Sequence, residues 1–89
     1  MRTKTEQQQY NYNLFARVAL REDLLQYNLQ RGDIATIVDK HVGNNNKIGY
    51  SLEVFNALGE TISVVVVSEN QIEPLMKNEI LHVRQLEAA

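Results

Sequence analysis

Apolar residues recur along this chain at two-residue spacing, in short runs broken by turn-forming clusters. Leu14, Ala16, Val18 and Leu20 share one parity while Arg17 and Arg21 fall on the other, which predicts a half-buried strand over 14–20. A second strand is predicted over 34–39, after the turn Arg31-Gly32-Asp33. It is apolar on both parities apart from Thr36. A third, over 48–56, alternates Tyr50, Leu52 and Val54 against Ser51 and Glu53, with Phe55 breaking the polar face near its end. The most β-prone stretch, over 61–68, holds four consecutive valines, Val64 to Val67. Such a run is an aggregation hazard at an open edge, so it is expected to sit paired and covered. A last short strand over 72–75 contains Pro74, whose missing N–H confines it to an edge.

The connections sharpen this picture. Residues 22–29 are too weakly periodic for a helix and read as a long loop with one helical turn, Leu24 and Leu29 tucked beneath it. His41-Val42-Gly43-Asn44-Asn45-Asn46-Lys47 and Ala57-Leu58-Gly59-Glu60 read as hairpin loops. Ser68-Glu69-Asn70-Gln71 suggests a tight turn before the last strand. Five short strands joined in this way describe an all-β, SH3-like barrel over 14–75. A polar N-terminal arm (1–13) precedes it and a C-terminal extension (76–89) follows. In the extension Met76, Ile80 and Val83 recur at helical spacing with Leu86 three residues on, while 80–83 also suits a strand. A short helix laid against the barrel or a partner is favoured.

Composition narrows the function. The 89 residues suffice for one domain, and 44% hydrophobic residues with a formal charge of −2 describe a folded chain rather than a disordered one. With no cysteine there are no disulfides, thiolate metal sites or cysteine nucleophiles. His41 and His82 share no metal-ligand spacing, Ser51, Ser63 and Ser68 lie in strands, and no glycine-rich phosphate loop is present. No cofactor, metal, small-molecule substrate or catalytic residue is therefore expected. The start of the chain lacks a secretory signal and no apolar segment is long enough to span a bilayer, so a cytoplasmic location is expected.

The residues that remain are candidates for recognition. Arg31 and Asp33 flank the turn into the second strand and are placed to form a local ion pair worth at most ~1 kcal/mol. Glu53 sits mid-strand on a polar face, where Arg17 or Lys40 can pair with it across the sheet. The alternative is that Glu53 belongs to a recognition face with Phe55, Tyr27 and Tyr50. The candidate interaction face is thus Arg17, Tyr27, Arg31, Asp33, Glu53 and Phe55. With nine basic residues scattered among acidic ones and a pI near 5.6, nucleic acid is disfavoured as a partner. Its reading would need a basic face from Arg17, Arg21, Arg31 and Lys40 with a tyrosine for stacking.

Val18-Ala19-Leu20, Leu29-Gln30-Arg31-Gly32-Asp33-Ile34-Ala35-Thr36-Ile37-Val38, Tyr50-Ser51-Leu52-Glu53-Val54, Gly59 and Gln71-Ile72-Glu73-Pro74-Leu75 resemble a family of small bacterial proteins of unknown function, common in cyanobacteria. Ala16 stands where that family usually has an acidic residue. Ala35 stands where it, like KOW-type translation domains, usually has glycine, which weakens an RNA-binding analogy. The resemblance implies an SH3-like (KOW- or Tudor-like) barrel and no established activity. The leading expectation is a non-enzymatic module that binds another protein or itself, in a regulatory or antitoxin-like role. The alternative is an RNA- or DNA-binding domain.

Overall fold

The computed structural model describes residues 12–86. Five strands, β1 (Arg17–Leu20), β2 (Ile34–Val42), β3 (Ile48–Phe55), β4 (Thr61–Ser68) and β5 (Ile72–Pro74), form one open antiparallel sheet in the order β4-β3-β2-β1-β5. Single turns of 3-10 helix occupy Leu25–Tyr27, Asn44–Asn46 and Glu69–Gln71. The chain is all-β. The predicted N-terminal arm lies almost entirely outside the described residues.

One face of the sheet carries the core. Val18 and Leu20 of β1, Ala35 and Ile37 of β2, Tyr50, Leu52 and Val54 of β3, Val65 and Val67 of β4 and Ile72 of β5 bury their side chains together, and Leu24 and Leu29 close the cluster from the long loop. That loop is pinched by reciprocal backbone bonds between Leu24 and Leu29, with Asn28 in the left-handed region at φ 62° to complete the turn. Gly32 at φ 91° lets the chain turn sharply into β2, a conformation that costs a side-chain-bearing residue about 1 kcal/mol.

Three expectations need correction. The regular strand begins at Arg17 rather than residue 14, because Phe15 takes a left-handed φ of 68° and kinks the chain where it first bonds to Ile37 of β2. The second strand runs on to Val42, so His41 lies in β2 and not in a loop. Its ladder continues to Val42 opposite Ile48 because Asn45 and Asn46 accept positive φ and close the hairpin tightly. Residues 76–86 form neither helix nor strand. Glu79 folds back there, its Oε1 accepting from the Met76 N–H at 2.7 Å while its own N–H donates to the Met76 carbonyl. The segment then runs on without regular structure to Arg84, which is anchored elsewhere.

Candidate functional site

The predicted interaction residues fall at two separate places. Asp33 and Arg31 lie at the β1–β2 turn, with Tyr27 exposed in the loop before it. The Arg31 N–H donates to Asp23 Oδ1 at 2.8 Å. Asp33 does not take the expected local partner: Arg84, 51 residues on, grips it in bidentate fashion, Nε to Oδ1 at 2.7 Å and Nη2 to Oδ2 at 2.6 Å. The Gln30 N–H adds a third bond to Oδ2 at 2.8 Å. This clasp holds the C-terminal segment against the turn. Beneath it a cavity of about 340 Å³ is lined by Leu20, Ile34, Glu73, Leu75, Leu81 and His82, among others.

Burial alone would raise the Asp33 carboxyl, but the Arg84 guanidinium and the Gln30 N–H outweigh it and hold the group below its ordinary 3.8. With the folded value below the unfolded one, the clasp stabilises in full at neutral pH. It weakens as pH falls below 3.8 and is lost through the folded value. Arg84→Ala is expected to cost about 1 kcal/mol at pH 7, and progressively less as the pH is taken below 3.8, in paired urea titrations. An equal loss across that range would mean the Arg84 stem matters by packing and not by charge.

The second place is the outer face of β2, β3 and β4. The register sets Arg17, Thr36, Glu53 and Val64 in one row across four strands. Arg17 is therefore two strands from Glu53, about 10 Å, and Lys40 stands opposite Tyr50 instead. Glu53 is bonded by the Thr61 hydroxyl at 2.5 Å, a contact along its own hairpin. Phe55 ends the strand, exposed. Tyr50 leaves the recognition face altogether: it is fully buried, and the Tyr12 ring meets it edge-on at 5.4 Å. Of the residues named for a basic face, Arg21 lies beside Glu73 at 3.6 Å. On the same outer face His41 Nε2 and Ser51 Oγ share a hydrogen bond at 2.7 Å, in the open.

Sequence reasoning missed the feature that dominates this face. β4 is an edge strand, not a covered one, and Ile62, Val64 and Val66 stand exposed on it at 40, 60 and 64%. The only signal was the unbroken valine run, which by itself assigns neither face to solvent. Among the described residues no group of His, Asp and Glu is placed to hold a metal ion, and no helix is long and apolar enough to cross a membrane.

A single open antiparallel sheet with one buried face and one apolar free edge defines a small all-β domain with an exposed pairing strand. Residues 14–74 match the family described as Domain of unknown function (DUF4926), and the chain belongs to that family. No curated protein and no solved structure matches it significantly.

Proposed function

We propose that the chain is a non-enzymatic protein-interaction module, an SH3-like barrel acting as a regulatory or antitoxin-like partner. The barrel reading is supported by the return of β5 beside β1 after a single 3-10 turn, and by Ile72 of one edge sharing a core with Val65 and Val67 of the other. The observation that carries the interaction reading is the β4 edge. It is eight residues long, free of charge and proline, apolar on the side away from the core, and interrupted only by a bulge near its start, at Ile62. Sheet edges in proteins that stay alone are blunted by charges, prolines or bulges, whereas an open edge recruits a further strand by main-chain bonding.

A photo-reactive side chain placed at Ile62 in the cellular chain tests this against the same group at Lys77, which is exposed away from the edge. Protein adducts are expected at 62 well above those at 77. Equal or absent adducts at the two positions would remove the reading.

A further inference from the structure

The backbone register decides what the β4 edge offers. The Leu20 N–H donates to the Asp33 carbonyl at 2.9 Å and the Ile37 N–H to the Ala16 carbonyl at 2.9 Å, so odd-numbered residues at the start of β2 direct their amides toward β1. Thr36 then faces β3, where it opposes Glu53. Alternation along β3 turns Leu52 and Val54 toward β4, opposite Val65 and Ser63. Val64 and Val66 are left with their N–H and C=O groups on the open side of the sheet, and the β-bulge between Val54 and Phe55 falls just before them, at Ile62. Ser68, next in that series, gives its N–H to Gln71 Oε1 at 2.9 Å, which ends the free stretch.

The opposite edge is closed. β5 has three residues, and Ala19 opposes Glu73, so Ile72 and Pro74 face outward. Pro74 has no N–H. Glu73 brings a buried carboxylate, with Arg21 at 3.6 Å, into this strand. The β5 edge is thus blunted by shortness, proline and charge, whereas β4 carries only the bulge at Ile62 and runs on from Ser63 to Val67 without further interruption.

Resting on the interaction reading, the geometry points to a second copy of this chain as the occupant: β4 pairs antiparallel with β4 of its twin about a twofold axis at Val64. Side chains keep to the same face only when the two residue numbers sum to an even value. The choice centred on Val64 sets Val64 against Val64 and Ile62 against Val66 in both directions. The outward amides of Val64 and Val66 belong to this set, so the central Val64 pair exchanges two N–H···O bonds, and the bulge at Ile62 marks where the regular pairing ends. The three outward apolar side chains are then matched only with each other. Charge permits it: no residue from Thr61 to Ser68 is ionisable. The nearest carboxylates in the central row, Glu53 and its twin, stand three strand spacings apart, about 14 Å, beyond a physiological Debye length. The pairing is also self-limiting. It consumes both β4 edges and leaves a blunted β5 at each end of the joined sheet, so it stops at two chains.

Sedimentation equilibrium of the full chain is expected to give about 20 kDa, twice the 10.2 kDa of one chain. Val64→Lys sets two ammonium groups against each other and is expected to weaken the dimer by about 100-fold. Val64→Pro removes an outward N–H without touching the β3 ladder and should do the same. Val64→Thr should keep the dimer. Circular dichroism of each variant checks that it folds, and amide exchange in the parent chain should slow at 64 and 66 as concentration rises. Four results overturn the proposal. The first is a monomer at about 1 mM. The second is a dimer indifferent to the folded Val64→Lys and Val64→Pro variants. The third is a monomer with those amides already protected, which assigns the edge to the chain's own residues. The fourth is cross-links from position 62 only to a different protein, which leaves the interaction reading standing.

Discussion

Tyr50→Ala is expected to remove most of the stability of this domain. Tyr50 is the largest of the fully buried side chains, in the third strand with Leu52 and Val54 beside it on the inner face. Truncating a buried aromatic ring costs about 3–5 kcal/mol, as lost transfer energy plus the cavity left behind. Small domains hold roughly 5–15 kcal/mol in all, and one of this length belongs at the lower end. The loss extends beyond the ring itself, because the Tyr12 ring meets Tyr50 edge-on at 5.4 Å and the Tyr12 N–H reaches its hydroxyl at 3.4 Å. Tyr50→Phe keeps the ring contact and gives up only that long bond, so it should cost under about 1 kcal/mol. Urea denaturation of the two variants separates these contributions. Similar midpoints for both would mean that the ring is not the keystone of the inner face.

The same residue marks what the sequence could reveal. Alternation of Tyr50, Leu52 and Val54 against Ser51 and Glu53 assigns the inner and outer faces of β3 correctly, because polar and apolar residues occupy different parities. The valine run carries no such contrast. Val64, Val65, Val66 and Val67 are chemically alike, and their split into two exposed and two buried residues comes only from the register with β3. Strand order is equally silent in a local pattern. Nothing near residue 64 says that the chain will return past β4 to lie beside β1, leaving the valines at an edge. The expectation of a covered strand failed for that reason. The helical spacing of Met76, Ile80 and Val83 misled in the opposite sense: Ile80 and Val83 stay exposed, and a side-chain clasp between Arg84 and Asp33 fixes the segment instead. A contact across 51 residues leaves no periodic trace. The candidate residues fall at the β1–β2 turn with the loop before it, on β1 and on β3. Their separation into two places was not legible, since it depends on which strands are neighbours.

Val65→Lys is the variant that tests the register most severely, and it is expected to leave the chain unfolded. Val65 is 1% exposed and stands opposite Leu52, inside the core. An ammonium group there finds no carboxylate on the inner face: its neighbours in the buried cluster are Leu52, Val54, Val67, Ile37 and Tyr50, which are not acidic. Burying an unpaired charge costs several kcal/mol even after relaxation, and the lost valine packing adds to it. The sum rivals the whole stability of a domain this size. One position earlier, the same change at Val64 meets solvent and should leave the fold intact. The two variants have the same composition and differ only in which side of one strand bears the charge. Dispersed amide resonances for Val64→Lys and collapsed ones for Val65→Lys are the expected pair of spectra. If both fold, Val65 does not face the core, and the register that turns Val64 and Val66 to the free edge is wrong with it.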